Sequence, residues 1–159
     1  MDHSTIHSVL INLHSAAATI AFFAGCLLIF SRTYALNRTL FNVYLWTLIG
    51  MTILLAGAVV VYWEEYSDIE RIIFPGLLGL ALFMAFRGWA AGLVLATRQG
   101  DWKLGYIEHI GFTLISLFEG FVIVSGLNAG LPGWLVGLIA VLGLLIGRWV
   151  NAQAKRRTA

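Results

Sequence analysis

Two opposite charges stand inside apolar runs of this sequence. Arg87 lies near the middle of IIFPGLLGLALFMAFRGWAAGLVLAT, residues 72–97, and Glu119 lies near the middle of a second run at 106–127. His14 sits in the first apolar run, and Ser116 precedes Glu119 by one helical turn. A guanidinium, a carboxylate, an imidazole and a hydroxyl form a set that can bind a small polar ligand or relay protons. The same set can also be a structural ion pair that holds helices together. A charge inside a membrane costs a few kcal/mol or more unless it is paired or wet. The other elements therefore have to bring Arg87 and Glu119 their partners.

Depth along the helices decides which groups can meet. Counted from the basic ends of their runs, Arg87 is about ten residues up, or roughly 15 Å, and Glu119 about 13 residues up, or roughly 20 Å. A flexible arginine covers an offset of roughly 5 Å, so a direct Arg87–Glu119 pair is expected. His14, at roughly 24 Å, reaches the same cluster from above. A haem would need two axial ligands at one level. His14 and His109 are separated by roughly 20 Å of depth; Met84, near Glu119 in depth, is the other candidate to pair with His14. Near the N-terminus, His3 and His7 are four residues apart and face a loop carrying Glu64, Glu65, Asp68 and Glu70. That spacing is a weak candidate for a metal site.

The elements that must position these groups follow from composition. The 159 residues are 60% hydrophobic and only 11% charged, with mean hydropathy +0.87. A soluble domain would carry about 25% charge, so too few polar residues remain to cover a water-facing surface. Five apolar runs, at about 8–30, 41–62, 72–97, 106–127 and 132–150, are each long enough to cross roughly 30 Å of hydrocarbon as a helix. Strands are excluded, because only helices satisfy every backbone group within one apolar segment. The expected fold is a single all-α domain over 1–159, an up-down bundle of five transmembrane helices.

Orientation follows from Lys and Arg. Arg32, Arg38, Arg98, Lys103, Arg148, Lys155, Arg156 and Arg157 share one side in a five-span chain; Arg71 and the acidic loop take the other. The positive-inside rule places the N-terminus outside and the C-terminus in the cytoplasm. Residues 1–8 contain no Lys or Arg, so the first run is expected to be a retained span and not a signal peptide.

The lipid bilayer is the first partner this predicts. Small residues mark where helices approach each other. Ala81, Ala85, Gly88 and Gly92 make one stripe on the third helix, and Gly133–Gly137 and Gly143–Gly147 repeat the spacing on the fifth. Such Gly-rich faces suit packing within the chain, a homo-oligomer or a larger membrane complex. His109, Thr113, Ser116 and Gly120 form a second, polar stripe on the fourth helix. No basic run tracks a phosphate backbone, so nucleic acid is not an expected partner. Cys26 is the only cysteine and forms no internal disulfide. Nothing pairs a nucleophile with a base, and there is no phosphate loop and no thiol pair.

Three stretches, His14, LNRTLFNVYLW at Leu36–Trp46 and RQGDWKLGYIEH at Arg98–His109, carry a resemblance. Over about Asn12–Gly120 the chain resembles an uncharacterised family of small bacterial membrane proteins, a domain of unknown function. Asn37 stands where that family has a histidine, and His109 lies one turn later than its counterpart. The resemblance implies architecture only. The expected function is that of a non-enzymatic inner (plasma) membrane protein, an accessory or small-ligand-binding component. A small proton-coupled transporter or channel is the second reading, and a haem-binding redox protein the third.

Overall fold

The structure, a computed structural model, describes residues 3–30, 37–68 and 70–156. It contains α1 (His3–Phe30), α2 (Arg38–Val61), α3 (Glu70–Thr97), α4 (Trp102–Asn128) and α5 (Gly133–Arg156), with a short 3-10 turn at Trp63–Glu65. Among the described residues there is no strand. Four of the helices, α1 to α4, are long and apolar enough to cross a membrane. They pack as a ring: α1 against α2, α2 against α3, α3 against α4, and α4 back against α1. The fifth helix docks chiefly on α4, outside that ring.

Helix ends are set by local hydrogen bonding, and several lie beyond the apolar runs. Asn37 caps α2, its side-chain oxygen accepting the Leu40 N–H at 2.9 Å. Ser67 and Glu70 make one half of a capping box: the Glu70 carboxylate accepts the Ser67 N–H at 2.9 Å, and it also accepts the Ser67 hydroxyl at 2.7 Å. That box starts α3 inside the acidic loop, earlier than the expected residue 72. Pro75 is thereby the sixth residue of the helix and not in its first turn; it removes one interior backbone bond. Asp101 does the same for α4, its carbonyl accepting the Leu104 and Gly105 N–H groups at 3.0 and 3.3 Å. This helix begins four residues before the expected 106.

The core follows from which face each helix turns inward. On α2, Phe41, Tyr44, Leu48, Met51 and Leu55 are buried at alternating steps of three and four. On α3 the buried residues are Ala81, Met84, Gly88 and Ala91. Ala81 and Gly88 thus belong to the interface as expected, whereas Ala85 is only half-buried. Gly88 brings α3 close to α2: a Cβ there would stand 2.7 Å from Leu48 Cδ2 and 3.3 Å from Leu45 Cδ1. Gly25 makes the matching approach of α1 to α4, against Leu114 at 2.8 Å. Gly143 and Gly147 face α4, against Glu119 and Ile115. Large apolar side chains such as Phe23, Trp46, Ile53, Ile72, Phe121 and Leu145 cover the outside, an apolar exterior suited to lipid.

Candidate ligand site between α2, α3 and α4

The four residues expected to form one cluster lie in three different seams. His14, half-buried on α1, faces α2, and its Nδ1–H donates to the Met51 carbonyl at 2.8 Å. A carbonyl only accepts, so that nitrogen carries the proton. Arg87 faces α4 at a lower level. Its Nη2 donates to the Glu108 carbonyl at 3.1 Å, and its guanidinium lies 5.2 Å from the centroid of Phe112. Glu119 points to the other flank of α4, onto Gly143 of α5. Both its carboxylate oxygens are out of contact with solvent and have no hydrogen-bond partner among the described residues. Ser116 is half-buried one turn earlier. The expected Arg87–Glu119 pair is not formed.

The reason is axial. Arg87 is ten residues above the end of α3 at Thr97, a level that falls at residue 112 of a helix starting at Trp102. Phe112 is the residue it meets. The early start of α4 lifts Glu119 seven residues above that level, roughly 10 Å. This is twice the offset expected from the apolar boundaries.

Arg87 instead belongs to a polar group that α2 and α4 complete. Tyr44, fully buried on α2, hydrogen-bonds Thr113 of α4. Thr113 gives its own hydroxyl proton to the Ile110 carbonyl at 2.8 Å, so Tyr44 is the donor. Tyr106, buried on α4, meets Phe41 of α2 with ring centroids 6.1 Å apart, and Phe41 lies 5.9 Å from the Tyr44 ring; His109 is one turn from Thr113 on α4. Three atoms in this group are buried without a hydrogen-bond partner among the described residues: Arg87 Nε, Tyr106 Oη and His109 Nδ1. Buried polar atoms are nearly always satisfied, and leaving one bare costs about 1–3 kcal/mol. The Arg87 guanidinium and the Tyr106 phenol are donors for a small acceptor-rich ligand, and the His109 nitrogen donates or accepts according to its tautomer.

Sequence reasoning placed His109 and Thr113 on one polar stripe but missed Tyr44 and Tyr106. Both tyrosines lie near helix ends, where aromatic residues are ordinarily interfacial. Nothing in the residue types distinguishes them from anchors. The signal available was Tyr106 one turn from His109 and two from Thr113, continuing that stripe downward.

At the other end of the bundle His7 is turned inward. Its Nδ1–H donates to the Ala58 carbonyl at 3.2 Å, and its ring stacks on Tyr62 at 4.3 Å. The side chain of His3 lies outside the described residues. Among the described residues no three His, Cys, Asp or Glu side chains converge on a point that could hold a metal ion. Met84 is buried in the core of the ring. No protein-family model, curated protein or solved structure matches the chain.

Proposed function

We propose that this chain is a non-enzymatic, five-span protein of the inner membrane, with its N-terminus outside, that binds a small anion or neutral acceptor at Arg87, Tyr106 and His109. Four long apolar helices and an apolar exterior support membrane residence. In this reading α5 is the fifth span, presenting Trp134, Leu138, Leu145 and Trp149 outward. The observation that carries the site is that Arg87 Nε on α3 and Tyr106 Oη and His109 Nδ1 on the adjoining α4 are all buried without a hydrogen-bond partner among the described residues. In a low-dielectric seam, hydrogen bonds to a charged group contribute about 1.5–3 kcal/mol each. A ligand that supplies acceptors to Arg87 and Tyr106 removes their desolvation penalty as it binds.

The test is a thermal-shift titration of the detergent-purified protein with acetate, bicarbonate, nitrate and chloride. A ligand at a hundredfold its Kd stabilises by about 2.7 kcal/mol, a shift of several degrees. At least one of these anions should raise the Tm of the wild type, and Arg87→Gln and Tyr106→Phe should each abolish the shift. His14→Ala, in a different seam, should retain it. A wild type indifferent to all four anions, or a shift that survives Arg87→Gln, would sink the proposal.

A further inference from the structure

Where α2 begins and α3 ends, the bundle carries a cleft of about 260 Å³. Arg38, from the first turn of α2, and Arg98, just past α3, line it together with Asn42. Its apolar wall is Phe41, Leu95 and Gly92, the Phe41 ring lying against the glycine where a Cβ would meet it at 3.2 Å. No acid is among the described lining residues, and the sequence has no Asp or Glu between Asp2 and Glu64. Two arginines lining one cleft with no carboxylate among its described lining residues favour an anion between them. The α2 N-terminus, its Leu40 N–H taken by the Asn37 cap, adds the positive end of its dipole.

Arg98 is held there at some expense to its backbone. Its φ is +48°, and no other non-glycine among the described residues has a positive φ. Its N–H closes on the Val94 carbonyl at 3.0 Å, the helix-ending position that glycine ordinarily takes. The Nε donates to the Leu95 carbonyl at 3.4 Å and the guanidinium lies over Trp102 at 5.4 Å. This packing leaves the Nη groups for another acceptor. Non-glycine residues held in this region cluster at ligand clamps.

We propose that the cleft binds a phosphate group, with the phosphodiester headgroup of an anionic phospholipid as the expected source. The guanidiniums and Asn42 take the phosphate oxygens. Phe41 and Leu95 take the carbon chain that a lipid supplies and a hydrated inorganic ion does not. The site is separate from the one at Arg87, and each stands or falls on its own variants.

Native mass spectrometry of the detergent-purified protein with phosphatidylglycerol or phosphatidylcholine tests this. The wild type should hold phosphatidylglycerol in preference to phosphatidylcholine. Arg38→Gln and Arg98→Gly should each weaken the adduct roughly tenfold, the loss of one charge-assisted contact. Arg148→Gln, a basic residue outside the cleft, should leave it unchanged. Arg98→Gly relieves the positive φ, so its Tm should equal or exceed that of the wild type while binding falls. Arg38→Gln replaces an exposed residue at a helix start and provides the second arm. If excess inorganic phosphate displaces the lipid, and itself binds with the same dependence on Arg38 and Arg98, free phosphate is the ligand and the phosphate site stands. Equal retention of the two lipids, undiminished binding by Arg38→Gln, or an equal loss in Arg148→Gln overturns the proposal.

Discussion

The α1–α2 seam and the α2–α3–α4 seam both place histidine among apolar side chains, and they treat it differently. Across α1 and α2, His7 donates to Ala58 and His14 to Met51. The donors are seven residues apart and so are the acceptors, in reverse order, as an antiparallel pair requires. A helical carbonyl keeps a second lone pair after its own backbone bond, so each ring nitrogen is satisfied without disturbing α2. Gly57 lies across from Leu10 in the same seam, 3.5 Å from a built Cβ, which lets the helices come close enough for the rings to reach. In the other seam His109 Nδ1, Tyr106 Oη and Arg87 Nε are buried without a hydrogen-bond partner among the described residues. The first arrangement is closed and serves adhesion. The second keeps hydrogen-bonding capacity that only something from outside the described residues can use.

The strongest way to break this comparison is to separate α2 from α3. The open seam keeps its shape because Gly88 lets Leu48, Leu45 and Tyr44 lie against α3. Gly88→Leu should push the helices apart and cost about 3 kcal/mol or more, at the upper end of overpacking penalties. Leu93→Ala, on an exposed face of the same helix, should cost far less. Thermal unfolding of the two variants in one detergent measures this. Equal Tm values would show that Gly88 is not a point of close approach.

How much of this was legible in the residues depends on direction. The helices themselves were, because runs of 19 to 26 apolar residues have one stable form in lipid. Position along the axis was legible only to within a turn, since apolar boundaries are not helix boundaries. The Ser67–Glu70 box and the Asp101 carbonyl each start a helix inside a polar stretch. That shift moves Glu119 out of reach of Arg87. Which neighbour a residue faces was legible only in part. Ala81, Gly88 and Gly92 were read into the right stripe, Gly92 lying against Phe41 of α2, and Met84 and Ala91 complete it in place of Ala85. Asn37 has a local role that its residue type announces, capping α2.

A pair of substitutions sharpens the contrast between closed and open. His14→Ala removes a satisfied donor from the closed seam. Hydrogen bonds between membrane helices are worth about 0.6 kcal/mol on average and up to about 1.7, so a loss of about 1 kcal/mol is expected. Tyr106→Phe removes a hydroxyl that has no partner, and in ligand-free protein it should be neutral or slightly stabilising. Chemical unfolding of both variants checks the signs. If Tyr106→Phe destabilises ligand-free protein as much as His14→Ala does, the Tyr106 hydroxyl is satisfied after all and the open seam is closed.

The smallest effect concerns the two charges themselves. Arg87 meets Glu108 and Phe112, whereas Glu119 lies roughly 10 Å higher along α4 and turns to Gly143. They share no partner and occupy different seams. Residues separated by more than about 7–10 Å without a common contact usually act additively, to within about 0.5 kcal/mol. Arg87→Gln and Glu119→Gln should therefore each change stability by its own amount, with a coupling energy below about 0.5 kcal/mol in the double variant. An ion pair would behave differently: each single substitution would strand a buried charge at about 3–5 kcal/mol, and the double variant would recover much of that loss. A double-mutant cycle by thermal unfolding distinguishes the two outcomes. Recovery in the double variant would mean that Arg87 reaches Glu119. The guanidinium would then be neutralised within the chain, and the seam between α2, α3 and α4 would lose its reason to bind an anion.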